Sequence, residues 1–265
     1  MPELPEVERG RLVAEKTAVG RTCLSVHGKD DSIVFCDQSR ARIARALKNK
    51  LITRACRHGK QLWLEFENAP ALLIHFGMTG SLQAYPEGQE PPRFSRVELR
   101  LTGGIHLAMP DPRRFGRIRM RDDPRNEPPI SMLGFDPLHQ MPDKSTFRDM
   151  VVARRTTIKG LLLNQKFCAG IGNWIADEIL YQAGIDPRTR TDGMDDSSIE
   201  RVRRWTRKII ERSVEVNANS SKFPRTWLFH ERWGKPEGAL TRRGEAIEIM
   251  TVAGRTTAWV PSAQS

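Results

Sequence analysis

Hydrophobic and polar positions change their rhythm along the chain. From Glu6 to Val19 the spacing predicts a helix, with Pro5 near its first turn, where the missing N–H costs least, and Gly20 at its end. Beyond it the period shortens to two. Gln61 to Phe66 alternates, Leu72 to Met78 is apolar, Val97 to Leu101 alternates again, and Thr102-Gly103-Gly104 turns into Ile105-His106-Leu107. This pattern predicts an antiparallel β region. Residues 124–142 are rich in Pro, Gly and Asp without sustained periodicity, which predicts a linker at 135–142 after an N-terminal domain of residues 1–134.

The second half reads as mostly helical. Phe147–Ala153, Lys159–Gln165, Asn173–Ala183 and Ser197–Val216 carry helical spacing, the last opened by the capping-box pattern Ser197-x-x-Glu200. In that last helix Ile199, Val202, Trp205 or Thr206, and Ile209 form the apolar stripe, leaving Arg201, Arg204, Lys208 and Arg212 to face outward. These segments define a helical domain over 143–225. Residues 226–265 end in two β-patterned stretches around Ala253-Gly254, which predicts a terminal hairpin. The fold class is α+β in two domains.

Composition narrows the function. The 265 residues suffice for two cores, and 43 Lys+Arg against 32 Asp+Glu leave a net charge of +11, shared nearly evenly by the two halves. Such an excess suits a polyanion, with nucleic acid the first partner to consider. The sequence has no apolar run near the ~18 residues of a membrane span and no basic, then apolar, leader, so secretion and membrane insertion are not expected. Cys23, Cys36, Cys56 and Cys168 are scattered without a Cys-x-x-Cys pair, which predicts a reducing compartment and neither disulfide framework nor zinc ribbon. The histidines show no ligand spacing either. No metal and no cofactor are expected.

The N-terminus offers chemistry. In Met1-Pro2-Glu3-Leu4-Pro5-Glu6, removal of Met1 leaves a free secondary amine on Pro2. An α-amine titrates near 8, so part of it is unprotonated at neutral pH and able to attack a sugar C1′, giving an iminium that promotes elimination. Glu3 and Glu6 then stand nearby as a general acid and an anchor, with Glu6 pointing back toward Pro2 from the helix start. The competing reading is that acids at a helix N-terminus merely complement its dipole.

The octapeptide Met1 to Glu8 resembles the N-terminus of the formamidopyrimidine-DNA glycosylase and endonuclease VIII (Fpg/Nei) family of DNA-repair enzymes. Four further stretches match that family in order: His58-Gly59-Lys60, His75-Phe76-Gly77-Met78-Thr79-Gly80-Ser81-Leu82, Asp111-Pro112-Arg113-Arg114-Phe115-Gly116, and Gly170-Ile171-Gly172-Asn173 through Glu178. The resemblance implies an N-terminal β-sandwich with flanking helices and a helical domain carrying a helix–two-turn–helix. It implies a DNA glycosylase/AP lyase of base excision repair, with Pro2 as nucleophile, Glu3 protonating the sugar ring and Glu6 orienting the site. Damaged double-stranded DNA is the expected partner and a monomer the expected state, in a DNA-containing compartment such as the cytoplasm and nucleoid or the nucleus.

The resemblance also assigns DNA contacts. Lys60, counted among the catalytic residues as well, is a cation held against phosphates flanking a flipped nucleotide, although a lysine after glycine also reads as a snorkelling surface charge. Met78, Arg113 and Phe115 become the set that fills the void left by an extruded base, and Arg114 binds phosphate. As a plain turn, the same stretch has solvated charges and a buried Phe115. Asn173 reads as an ordinary helix N-cap; the family pairs this asparagine with a lysine, here Lys159, on lesion-flanking phosphates.

Two departures stand out. Many bacterial members end in a zinc finger with two Cys-x-x-Cys pairs, and here those positions read Ile247-Glu248-Ile249-Met250 and Val260-Pro261-Ser262-Ala263. This resembles the zincless-finger branch of plant and fungal Fpg-like enzymes, in which apolar side chains pack the hairpin. Arg255 then occupies the place of the finger arginine that contacts phosphate, its alternative being a charge at a hairpin tip. Secondly, residues 216–226 are shorter than the loop that caps 8-oxoguanine in bacterial relatives, so formamidopyrimidines and hydantoins are expected above 8-oxoguanine. Two rival functions are a catalytically silent lesion-binding protein and a monofunctional hydrolytic glycosylase.

Overall fold

The computed structural model describes residues 2–234 and 238–265, which divide into two compact units between Met132 and Leu133. Met1, whose removal would free the Pro2 amine, and residues 235–237 of the expected hairpin domain lie outside the described residues.

In the first unit, helix α1 (Leu4–Thr17) starts earlier than the apolar spacing predicts because Glu3 caps it and Pro5 sits inside its first turn. It is followed by β1 (Thr22–His27), α2 (Arg40–Leu47), β2 (Lys50–His58), β3 (Gln61–Phe66), β4 (Ala69–His75), β5 (Gln83–Pro86), β6 (Ser95–Leu101), β7 (Ile105–Pro110) and β8 (Arg117–Arg121). The strands pair antiparallel in the order β5-β7-β6-β1-β2-β3-β4-β8. Only Thr22 opposite Leu51 and Cys23 opposite Lys50 join β1 to β2, so this thin link lets the sheet fold over on itself. Leu62, Leu64, Leu72 and Ile74 from one half meet Val97, Leu99, Leu107 and Met109 from the other, with Val7 of α1 and Ile43 and Leu47 of α2 in the same core. The result is a β-sandwich with flanking helices, each fully buried leucine contributing about 1.5–3 kcal/mol. On the opposite face of β3 and β4, Trp63 and Leu73 pack with Ile130 of the Pro-rich segment.

Strand β4 ends at His75, whereas the apolar run predicted a strand through Met78. Gly77 adopts φ +62°, which breaks the strand and begins a turn.

The second unit contains α3 (Lys144–Val152), α4 (Ile158–Leu163), α5 (Asn173–Ala183) and α6 (Asp196–Glu215), then the hairpin β9 (Glu248–Val252) and β10 (Arg255–Trp259). Helix α6 is capped by Asp195, which accepts the N–H groups of Ser197 and Ser198; Glu200 pairs with Arg203 instead of closing a box on Ser197. Thr206 rather than Trp205 completes the buried stripe. Among the arginines expected to face outward, Arg201 instead donates to the Ala183 carbonyl at the end of α5. Residues 135–142 are not a free connector: Phe135 bridges to Cys168 and packs edge-on against Phe147 and Phe167, and Asp136 is buried within its own turn.

Candidate active site

The N-terminus of α1 is closed by two acids. Glu3, 2% exposed, is the N-cap, and its side chain accepts the Glu6 N–H while Glu6 Oε2 accepts the Glu3 N–H at 2.9 Å. This reciprocal box turns Glu6 back over the residues before it and sets both carboxyls next to half-buried Pro2 in the chain. Burial, and after it the nearby Glu3 charge, push the Glu6 carboxyl up to about 7, so Glu6 holds a proton for part of the time at neutral pH.

Lys60 lies in the two-residue turn Gly59-Lys60 joining β2 to β3, with His58 opposite Gln61. That turn is tied to α1 through a buried ion pair. Arg57 Nε donates to Glu8 Oε2 at 2.7 Å and Arg57 Nη1 to the Gly59 carbonyl at 3.1 Å, while Arg11 binds the other Glu8 oxygen. Burial alone would raise the Glu8 carboxyl, but Arg57 and Arg11 hold it below its ordinary value. The same helix therefore fixes both the acids and the lysine turn. His75 stands opposite Gln61 on one side and Arg117 on the other. Burial first, then the charges of Lys60, Arg119 and Arg117, drive its imidazole down to about 4. Neutral His75 accepts the Gly77 N–H on Nδ1 at 3.1 Å, which assigns its proton to Nε2.

The two loops carrying Met78 and Arg113–Phe115 are assembled around Asp111, which is fully buried. Its Oδ1 accepts the Thr79 hydroxyl at 2.6 Å and its Oδ2 the Gly116 N–H at 2.7 Å, while its carbonyl takes Arg96 Nε at 2.8 Å. One carboxylate thus holds a residue beside Met78 and a residue beside Phe115. Gly77 lies so close to this second loop that an added Cβ would fall 2.3 Å from the Phe115 carbonyl carbon. Met78 is half-buried on its turn, whereas Phe115 is 42% exposed with the Arg113 guanidinium 4.9 Å from its ring centre. The buried-phenylalanine alternative is therefore excluded. Arg114, at φ +60°, is exposed and makes a two-point contact with Asp31 at 2.8 and 3.1 Å; that guanidinium holds the Asp31 carboxyl down at about 2.

In the second unit the structure corrects two expectations. Lys159 is wholly buried: its Nζ donates to Asp177 Oδ1 at 2.5 Å, Thr257 Oγ1 at 2.6 Å and the Thr256 carbonyl at 3.3 Å. An ammonium so enclosed is an interior tie between α4, α5 and β10, not a surface cation open to phosphate. Asn173 is not the N-cap of α5; Gly172 is, and Asn173 Nδ2 donates to the Thr256 carbonyl at 2.8 Å. Its Oδ1 has no partner among the described residues. Asp177, also fully buried, accepts Arg232 Nη2 at 2.5 Å and the Ala258 N–H at 3.2 Å besides Lys159.

The hairpin turns at Ala253 (φ +52°) and Gly254 (φ +69°), leaving Arg255 exposed at the head of β10. Where the resemblance would put zinc ligands, Ile247, Val260 and Ala263 pack with Tyr181 and Leu228; Met250 is only half-buried and lies outside that cluster. Residues 216–226 are folded down as well. Phe223 packs among Trp174, Trp227 and Phe229. Sequence reasoning missed Glu8, Arg57, Asp111 as an organiser, and Asp177. Only Asp111 left a signal, since Asp-Pro at the start of a polar turn marks a local hydrogen-bonding site.

Comparison with known proteins agrees with the two-unit fold. Residues 1–118 match the profile described as formamidopyrimidine-DNA glycosylase N-terminal domain, and residues 133–225 match the formamidopyrimidine-DNA glycosylase H2TH domain. A formamidopyrimidine-DNA glycosylase of Arabidopsis thaliana is 37% identical over 277 residues, covering all of this chain and 71% of that protein. One of Pelobacter propionicus is 30% identical over 273 residues, covering both chains in full. Among solved structures, Lactococcus lactis Fpg in complex with an abasic-site DNA superposes with a TM-score of 0.86 at 26% identity, covering 99% of each chain. The wild-type Lactococcus lactis Fpg bound to a DNA containing N7-benzyl-Fapy-dG gives 0.86 at 27% identity, covering both chains in full.

Proposed function

The chain belongs to the formamidopyrimidine-DNA glycosylase family, and from that membership we propose that it is a bifunctional DNA glycosylase/AP lyase acting on oxidised purines in double-stranded DNA. The observation that carries the reading is the pair of carboxyls interlocked beside Pro2 at the start of α1. After loss of Met1, the Pro2 nitrogen bonds to C1′ of the damaged nucleotide and the bond from C1′ to the base breaks. Glu3 gives a proton to the ring oxygen as the sugar opens, leaving an iminium between Pro2 and C1′. Loss of a C2′ proton then expels the 3′ phosphate, and a second elimination expels the 5′ phosphate. Glu6, which shares its proton near neutrality, orients Glu3 through the backbone bond between them. Met78, Arg113 and Phe115 enter the stack in place of the extruded base, while Lys60, Arg114, Asn173 and Arg255 face phosphates.

The substrates proposed are formamidopyrimidines and hydantoins ahead of 8-oxoguanine. The short 216–226 segment, packed through Phe223 onto α5, supports this preference because it leaves little chain to close over a base. The enzyme works as a monomer and requires no cofactor. Borohydride trapping on a duplex with an abasic site tests the mechanism. A covalent adduct formed by protein beginning at Pro2, and lost in Pro2→Gly and in a form extended at the N-terminus, is the expected result. No adduct from protein that begins at Pro2 and binds the duplex would overturn it in favour of a lesion-binding or hydrolytic role.

A further inference from the structure

Lys159 and Asp177 sit in the interior of the second unit, yet they connect by hydrogen bonds to the residue at the head of the hairpin. Asp177 Oδ1 accepts from Lys159 Nζ at 2.5 Å, Lys159 Nζ donates to Thr257 Oγ1 at 2.6 Å, and the Thr257 hydroxyl donates in turn to the Arg255 carbonyl at 3.0 Å. Each group in the chain has a forced role. An ammonium has only donors, so Thr257 must accept from it, and the single hydroxyl proton is left to point at Arg255. Two more bonds pin the same strand: Asn173 Nδ2 to the Thr256 carbonyl and the Ala258 N–H to Asp177 Oδ2. Three consecutive residues of β10, Thr256, Thr257 and Ala258, are therefore held by α4 and α5, while Thr251 and Met250 of β9 pair with Thr256 and Thr257 from the other side.

The enclosure of the relay argues against a purely local purpose. Lys159, Asp177 and Thr257 are each wholly buried. A buried ion pair adds little net stability over apolar side chains of the same volume, but it demands defined geometry from every group around it. Here that demand falls on the strand that begins with Arg255. A hairpin packed only by Ile247, Val260 and Ala263 would be free to slide on its apolar cluster; the relay removes that freedom.

We propose that the Asp177–Lys159–Thr257 relay fixes the position of Arg255, so that two buried residues and one hydroxyl govern the hairpin's grip on a DNA phosphate without touching DNA. The proposal rests on the assignment of Arg255 to a phosphate in the proposed function. Lys159 and Asp177 are positioning residues in this scheme.

The test is the salt dependence of binding to a duplex carrying a tetrahydrofuran abasic analogue, for the parent chain, Thr257→Val, Thr257→Ser, Arg255→Gln and the Thr257→Val/Arg255→Gln pair. Valine keeps the shape and β preference of threonine and removes only the hydroxyl. Losing the hydroxyl, and with it the bonds from Lys159 and to the Arg255 carbonyl, should weaken affinity about fivefold, and losing one phosphate contact should flatten the plot of log affinity against log salt by about 0.9. The expected result is a flatter slope for both Thr257→Val and Arg255→Gln, no further change in the pair, and a parent-like slope for Thr257→Ser. Normalising each binding curve to the folded fraction measured by circular dichroism at the same salt concentration keeps the reading valid for a variant that folds poorly. A parent-like slope for Thr257→Val beside a flattened one for Arg255→Gln would overturn the relay, as would losses that add in the pair. A parent-like slope for Arg255→Gln would overturn the phosphate assignment beneath it, whatever trapping at Pro2 reports.

Discussion

Each unit ties loops or a hairpin to one fully buried aspartate, but the two are satisfied in opposite ways. Asp111 holds its loops with neutral donors, the Thr79 hydroxyl and the Gly116 N–H. Asp177 holds its hairpin with two cations, Lys159 and Arg232, and one backbone N–H. The difference teaches what each site tolerates. Around Asp111 a lost charge leaves dipoles short of an acceptor, a cost of about 1–3 kcal/mol. Around Asp177 it leaves two cations in a closed interior, which costs more than any net benefit the pairs confer. The first arrangement serves the loops proposed to fill the void of an extruded base; the second serves the strand proposed to be held in place for Arg255.

The largest effect expected from breaking this contrast is at Asp177. Asp177→Ala should lose about 3–5 kcal/mol, measured by guanidinium unfolding followed through the tryptophans of the second unit. A loss below that of Asp111→Asn would erase the distinction. Asp111→Asn should cost about 1–3 kcal/mol of stability, yet slow base excision on the order of tenfold to a hundredfold, because Met78 and Phe115 would no longer be held together. Single-turnover excision at saturating enzyme reads that separation. Smaller again is Val260→Ala, which opens a gap in the apolar cluster at the positions where zinc-finger members of the family carry cysteines; about 2 kcal/mol should go. Chelation by EDTA should leave the melting temperature unmoved, and a drop would show that a metal, not this cluster, holds the hairpin.

The smallest effect concerns pH. The Glu6 carboxyl is raised from 4.5 to about 7 in the folded chain, chiefly by burial. Its contribution to stability is therefore complete below about 4.5 and is lost as pH rises through about 7. Glu6→Gln, which cannot ionise, should flatten the fall in melting temperature between pH 5 and pH 8. An unchanged fall would place the titration elsewhere.

Much of this was legible in advance because local chemistry wrote it. The alternation of β3 and β6, the Ala253-Gly254 turn and the span of α5 follow from periods and turn residues that act over a few positions. Strands β1 and β2 were hidden because register shifts at Cys23/Ser25 and Ile52/Arg54 interrupt their pairing and blur the alternation. Strand β8 was hidden because its outward positions are Arg117, Arg119 and Arg121, so it reads as charge. The motifs pointed to Pro2, Glu3, Glu6, Met78, Arg113 and Phe115 as candidates, but not to what holds them. Glu8 with Arg57, Thr79 with Asp111, and Lys159 with Thr257 are pairs brought together by folding across distant parts of the chain. Such pairs leave no periodic trace. Lys159 was misread for the same reason, since whether a polar side chain faces solvent or a neighbouring strand is decided by β10, far along the chain; for Asn173 only the N-cap reading fails, because Gly172 holds that position.

The measurement that bears most directly on the role of Asp111 compares two rates in Asp111→Asn: excision of a formamidopyrimidine from a duplex, and strand cleavage at a preformed abasic site, both under single turnover with saturating enzyme. Excision requires a paired base to be driven from the stack, whereas the abasic site has none to displace. If Asp111 assembles the loops that fill the void, the ratio of excision to cleavage falls at least tenfold while borohydride trapping at Pro2 persists. Two rates that fall together, or neither falling, would contradict the account and leave Asp111 as a stabilising residue of the sandwich.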